Sequence, residues 1–219
     1  MRRIFKLDKT KVEQAGSIEN YYQALFKEFG DSHETVRYSS KESQLKRYNT
    51  LIKIGDLSGC TVLDFGCGVG HFLEFLTSRH QSIDKYIGLE IVPEMLTFTR
   101  NKFPNASFFP PTELKSLSYD YGFVSGTFND KMKNNRRFWQ DTIVELFLKS
   151  KRGIAFNMMS TYVDFQNKNL FYENPEYVFK FVKNNLTPYV TLCHDFETKK
   201  HTIPFEFVIY AYKFPNNED

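Results

Sequence analysis

Val62-Leu63-Asp64-Phe65-Gly66-Cys67-Gly68-Val69-Gly70-His71-Phe72 decides the reading of this 219-residue chain. Thr61-Val62-Leu63 is a short apolar, β-branched run of the kind that forms a central strand, and Phe72, Leu73, Phe75 and Leu76 then recur at helical spacing. Between them Gly66, Gly68 and Gly70 permit positive φ and leave no Cβ between the backbone and a ligand lying across the turn. Strand, ligand-facing turn and helix therefore follow one another. A dinucleotide fingerprint requires a further glycine three residues after Gly68, and His71 stands there instead. Asp64 adds to this: a carboxylate close to a helix N-terminus repels a pyrophosphate and attracts an ammonium group.

The unbroken order of acid, one residue, then Gly-x-Gly-x-Gly from Asp64 to Gly70 resembles the first motif of the class I, Rossmann-like S-adenosylmethionine-dependent methyltransferases, in their small single-domain bacterial form. The resemblance implies an α/β fold: a doubly wound, seven-stranded sheet, mostly parallel with an antiparallel C-terminal strand, plus N-terminal lid helices. It also implies that Asp64, Gly66, Cys67 and Gly68 hold the methionine part of S-adenosylmethionine, with S-adenosylhomocysteine as product.

The next strand, Lys85-Tyr86-Ile87-Gly88-Leu89, ends at Glu90, about twenty residues beyond the turn, where Rossmann-like sites hold ribose hydroxyls. Two carboxylate oxygens match two hydroxyls. Ile91 then faces the adenine, and Pro93-Glu94 opens a helix that brings Met95 to the cofactor. Ala106-Ser107-Phe108-Phe109 resembles the third strand. By alignment with the family, Thr112 takes the position of an Asp that meets the adenine amino group, with Glu113 beside it. Tyr119 to Gly126 reads as the fourth strand and its end, placing Ser125 and Gly126 at the cofactor edge and Asn129 toward the substrate. Ser125 to Asn129 does not match the acid-or-Asn, Pro-Pro, aromatic motif of enzymes that methylate planar amino groups, so a base-amino target is disfavoured.

Upstream, Ile18 to Phe29 and Ser43 to Ile54 have helical periodicity and form a cap over residues 1–57, ahead of a core over 58–219; the whole of 1–219 reads as one domain. Ser43-Gln44-Leu45-Lys46-Arg47 resembles a Ser-Gln-x-x-Arg segment found ahead of the first motif in some small members of the family. Gln44 and Arg47 either face the cofactor carboxylate or belong to a solvated helix face. Downstream, Arg136 to Lys149 is a helix carrying Trp139 into the core. Gly153 to Asn157 is the fifth strand, with Asn157 a substrate contact at its end, and Asn174-Pro175-Glu176 starts a helix that runs to about Asn185. Tyr189 to Leu192 and Phe205 to Tyr212 close the sheet as an antiparallel pair.

His194-Asp195, just past the sixth strand, is the acid–base pair best suited to take a proton from an acceptor; the alternative is a strand cap and a turn. Tyr21, Tyr22 and Tyr162, with Phe128 and Phe165, are aromatic candidates for the acceptor pocket and for facing a sulfonium.

Composition narrows the partners. A net charge of +3 and a pI near 8.6 fall short of the basic stripe of a nucleic-acid binder. Cys60, Cys67 and Cys193 show no C-x-x-C spacing, so neither a zinc site nor a disulfide framework is expected, and no metal. Met1-Arg2-Arg3-Ile4-Phe5-Lys6 has no long apolar run behind it, no segment suits a bilayer, and a cytoplasmic protein is expected. The expected reaction is transfer of the cofactor methyl to an oxygen or nitrogen of a small molecule of sugar or natural-product type. The competing readings are a non-catalytic S-adenosylmethionine-binding partner protein and a nicotinamide-dependent oxidoreductase.

Overall fold

The computed structural model describes residues 18–215; the reading of Met1–Lys6, the cap before Ile18 and the last four residues lie outside them. The chain runs α1 (Ile18–Phe29), α2 (Lys41–Leu51) with a 3₁₀ turn (Ile52–Ile54), β1 (Thr61–Phe65), α3 (His71–Ser78), β2 (Lys85–Leu89), α4 (Pro93–Lys102) and β3 (Ser107–Phe109). A second 3₁₀ turn (Pro111–Ser116) leads to β4 (Tyr119–Val124), α5 (Asn135–Lys149), β5 (Ser150–Ser160), β6 (Tyr172–Glu173), α6 (Pro175–Asn185), β7 (Val190–Cys193) and β8 (Glu206–Tyr212).

The sheet order is β3-β2-β1-β4-β5-β8-β7. β1 to β5 are parallel neighbours, and β8 lies antiparallel between β5 and β7. The doubly wound mixed sheet read from the sequence is thus the observed one, with one short strand more than the seven expected. Met159 pairs with Glu206 on one edge of β5 and with Tyr172 on the other, so β6 extends the edge that β4 covers only as far as Phe156.

Alternation along the strands splits the core into two layers. Val62, Phe123, Ala155, Val208 and Tyr210 face the layer of α2 and α3, where Leu51, Phe72, Phe75 and Leu76 pack. Leu63, Val124, Ile154, Phe156, Phe207 and Ile209 face the opposite layer, filled by Trp139, Ile143 and Leu146 of α5 and Val178 and Val182 of α6. Both faces are covered, as a parallel sheet requires. Helix starts follow their capping chemistry: the Ser40 hydroxyl accepts from Ser43 N at 3.1 Å, and Asn174 Oδ1 accepts from Tyr177 N at 2.7 Å beside Pro175. Ser40 moves the start of α2 to Lys41, ahead of the Ser43 expected.

After β1 the chain builds outward through β2 and β3, then returns to lay β4 on the other side of β1. Connections leaving the carboxyl ends of β1 and β4 diverge there and open a crevice, the usual ligand position in such sheets.

Candidate active site

The turn after β1 is stitched to the end of β2. Gly66 N and Cys67 N donate to Leu89 O at 2.8 and 3.0 Å, and Gly68 N donates to Glu90 Oε2 at 2.9 Å. Gly68 has φ +55°, and a Cβ there would lie 2.6 Å from Val36 Cγ1, so glycine is what lets the segment between α1 and α2 close over the turn. Glu90 Oε1 accepts from Ile91 N at 2.7 Å and Val92 N at 3.0 Å. Backbone donors therefore occupy three of the roughly four lone-pair directions of this carboxylate and leave one, on Oε2, for a ligand.

Asp64 and Glu90 are 3% and 6% exposed, and among the described residues neither joins an ion pair. Burial pushes the Asp64 carboxyl up to about 7; a hydrogen bond from Tyr86 Oη at 2.6 Å opposes the rise, and the charge of Glu90 adds to it. Burial likewise raises Glu90, against its backbone hydrogen bonds. Two buried acids without a cation make a site that a positively charged ligand would complete. The methionine ammonium and sulfonium of S-adenosylmethionine fit that requirement.

These groups line a cavity of ≈ 180 Å³ walled by Asp64, Gly66, Cys67, Gly68, Glu90, Ile91, Met95, Ser125, Gly126, Gln44 and Tyr22, together with Val36, Tyr38, Pro111 and Asp130. A second cavity of ≈ 500 Å³, lined by Arg37, Arg47, Asn129, Met159, Phe165, Tyr172, Phe205 and Glu206 among others, shares Tyr22, Val36, Tyr38, Gly126 and Asp130 with the first. The cap forms their common roof. Tyr22 Oη donates to Asp130 Oδ2 at 2.8 Å, Arg37 pairs with the other oxygen of Asp130, and Tyr38 Oη and Ser125 Oγ are 2.8 Å apart.

Burial lowers the His71 pKa, keeping the ring neutral. The Gln44 amide donates to His71 Nδ1 at 3.1 Å, which leaves the proton on Nε2 facing Asp31 at 3.1 Å. Gln44 and His71 thus fix the floor of the cap beside the turn. Cys67, at the cavity wall and 7% exposed, has its thiol pKa pushed well up by burial.

Several expected contacts are corrected. Arg47 lines the second cavity rather than the first, and its guanidinium is engaged by Glu206: Nε lies 3.0 and 2.9 Å from the two oxygens, and a further N–H reaches Oε1. Asn157 is fully buried behind the wall; its Nδ2 donates to Glu206 Oε2 at 2.6 Å and its Oδ1 accepts from Gly126 N at 2.9 Å, so it presents nothing to a substrate. Thr112 and Glu113 are exposed on the 3₁₀ turn, where the preceding Pro111 alone reaches the cavity. His194 and Asp195 line neither cavity: His194 Nε2 lies 3.1 Å from Pro204 O, and Asp195 accepts from Cys193 Sγ at 3.2 Å. Tyr162 is 54% exposed and bonded to Glu176 at 2.5 Å, while Tyr21 stacks edge-on against Tyr22 outside both cavities. The sequence reading missed Tyr38, Asp130 and Glu206, which have no motif spacing to mark them.

Residues 63–135 match the family described as methyltransferase domain. A search of curated protein sequences gave no match. Among solved structures, an S-adenosylmethionine-dependent methyltransferase from Archaeoglobus fulgidus superposes with TM-score 0.58 at 20% identity, over 88% of this chain and 100% of that one. One from Aquifex aeolicus gives 0.56 at 16% identity, over 83% and 96%. The small RNA methyltransferase HEN1 gives 0.58 at 16% identity, over 78% of this chain but only 25% of that one. These likenesses establish a shared fold. The methyltransferase-domain match lies across the glycine turn and the end of β2, the segment that lines the cavity.

Proposed function

We propose that this chain is a single-domain enzyme that methylates an oxygen or nitrogen nucleophile of a small molecule seated in the second cavity. The observation that carries the reading is that the two cavities share Tyr22, Val36, Tyr38, Gly126 and Asp130 in their linings and so lie side by side. When bound, S-adenosylmethionine supplies a methyl group already activated on a sulfonium. The residues' task is then to hold, align and keep dry.

Asp64, held by Tyr86, takes the amino end, and the backbone from Gly66 to Gly68 lies along the methionine part. The free lone pair of Glu90 takes a ribose hydroxyl, with Ile91 and Met95 against the base. Ser125 and Gly126 border the transfer point. Tyr22 and Asn129 belong to the acceptor side; Asn129 Oδ1 is buried without a hydrogen-bond partner, so an acceptor carrying an N–H or O–H would satisfy it. Two buried acids argue against a dinucleotide, and a roofed second cavity has no use in a partner that only holds cofactor.

Calorimetry with S-adenosylhomocysteine tests the cofactor site. Transfer of labelled methyl into a fractionated cell extract tests the acceptor: label in the small-molecule fraction is expected, and label confined to RNA or protein would overturn that class. Among the described residues, no helix is long and apolar enough to cross a membrane and no His, Cys, Asp or Glu group is arranged to hold a metal.

A further inference from the structure

Arg47, Asn157 and Glu206 come from three distant parts of the sequence and meet behind the wall between the cavities. Glu206, 1% exposed at the start of β8, accepts from the Arg47 guanidinium of α2 and, through Oε2, from Asn157 Nδ2 of β5. Asn157 Oδ1 in turn accepts from Gly126 N. The Arg47 guanidinium also lies 4.9 Å above the Tyr38 ring, whose hydroxyl meets Ser125 Oγ at 2.8 Å. The chain of contacts therefore closes on itself: Gly126, Asn157, Glu206, Arg47, Tyr38, Ser125 and back to Gly126. Gly126 has φ +76°, and a Cβ there would lie 3.0 Å from Tyr38 Oη, so the loop fits the ring only as glycine.

We propose that Arg47, Glu206 and Asn157 are positioning residues that set the Ser125–Gly126 wall against the cofactor cavity and lock the cap residue Tyr38 onto the same wall. The inference rests on the cofactor reading of that cavity. None of the three lines the cavity in which the cofactor is proposed to bind, so an effect on binding there must travel through Gly126 or Tyr38. An ion pair and an amide, each desolvated, hold one geometry because any other would leave a charge or a polar group unpaired.

The direct test is Asn157→Ala, which keeps the Arg47–Glu206 pair and removes both links that Asn157 makes, to Gly126 and to Glu206. By calorimetry its affinity for S-adenosylhomocysteine falls about tenfold, the size expected when a buried charge-linked hydrogen bond is lost. The exchanged pair N157D/E206Q distinguishes positioning from mere destabilisation. A carboxylate at position 157 accepts from Gly126 and from an amide at position 206, whose oxygen accepts from Arg47, so the ring stays closed with the charge moved by one residue and only the second Arg47 Nε contact, to the former Oε2, is given up. Its affinity returns to within about threefold of wild type, even where melting shows it no more stable than N157A. A wild-type protein that fails to bind S-adenosylhomocysteine defeats the cofactor reading and this inference with it. Wild-type binding with N157A unchanged, or no recovery in a folded N157D/E206Q, overturns the positioning role alone.

Discussion

The two sides of the site are built in opposite ways. The cofactor side is local: one strand, one turn and the end of the neighbouring strand supply Asp64, Gly66, Gly68 and Glu90, and backbone N–H groups fix the geometry. The proposed acceptor side is long-range: Tyr22 meets Asp130 across 108 positions and Arg47 meets Glu206 across 159. A backbone-built site depends on a few residue types at fixed spacing. A side-chain-built site depends on the whole fold being in place first, and its members can vary in type as long as their partners vary too.

If the cofactor side is dominated by uncompensated buried charge, the largest effect belongs to Asp64→Asn. It keeps the shape and the acceptor for Tyr86 but removes the carboxylate, and S-adenosylhomocysteine binding should weaken about a hundredfold by calorimetry. Its stability should move the other way. The folded Asp64 carboxyl titrates at about 7, above its ordinary value of 3.8, so its contribution to folding is greatest at low pH and is lost as pH rises toward 7. At pH 8 the ligand-free D64N protein should therefore melt several degrees above wild type; equal melting would show that Asp64 carries no buried charge.

The same carboxyl makes binding pH-dependent. An ammonium beside it favours the ionised form, so affinity should fall as pH drops below about 7, by up to tenfold per pH unit, with uptake of ligand releasing a proton. Calorimetry in buffers of different ionisation enthalpy reads that proton, and pH-independent affinity between 6 and 8 would break the assignment.

On the acceptor side, Asp130→Asn should act on the cap rather than on the turn. It removes the charge that Arg37 pairs with and leaves a weaker partner for Tyr22. Amide hydrogen exchange in residues 18–39 should accelerate about tenfold, a loss of roughly 1.4 kcal/mol of local stability, with little change in the β1 and β2 amides. Equal acceleration in both regions would show that the two sides are not independent units. The smallest effect is expected for His194→Ala. Because His194 faces Pro204 outside both cavities, methyl transfer by this variant should match wild type across pH.

The contrast also explains what the sequence made legible. Asp64 to Gly70 and Glu90, which the structure brings together, are legible because a tight turn that leaves a strand at positive φ, with side chains packed against it, tolerates few residue types. The mostly parallel, doubly wound sheet with its antiparallel C-terminal strand followed from the resemblance that the same motif carries. Asn157 and Arg47 were singled out correctly as unusual and given the wrong partners, since a polar residue at a strand end reads the same whether it faces a ligand or a buried Glu206. His194-Asp195 shows the converse: the residue types suit proton transfer, but beyond the end of β7 each meets a protein partner of its own, Pro204 O and Cys193 Sγ, outside both cavities. The segment from Gly30 to Ser39 has neither helical nor strand periodicity, so nothing local announced that Val36 and Tyr38 would roof both cavities. β6, two residues long, is shorter than any pattern can register.

Cys67 turns this architecture into a chemical clock. Its thiol sits in the glycine turn, buried and protonated, and a thiol must be exposed and ionised to react. Cys60 is buried just ahead of β1, at the end of that strand opposite to Cys67, and Cys193 is only half-buried on the edge strand β7, so the three sulfurs fall into separable environments. Alkylation at Cys67 can proceed only as fast as the turn is uncovered, and a ligand resting on that backbone shields the sulfur directly. The rate at which this one atom is modified thus meters how often the site opens.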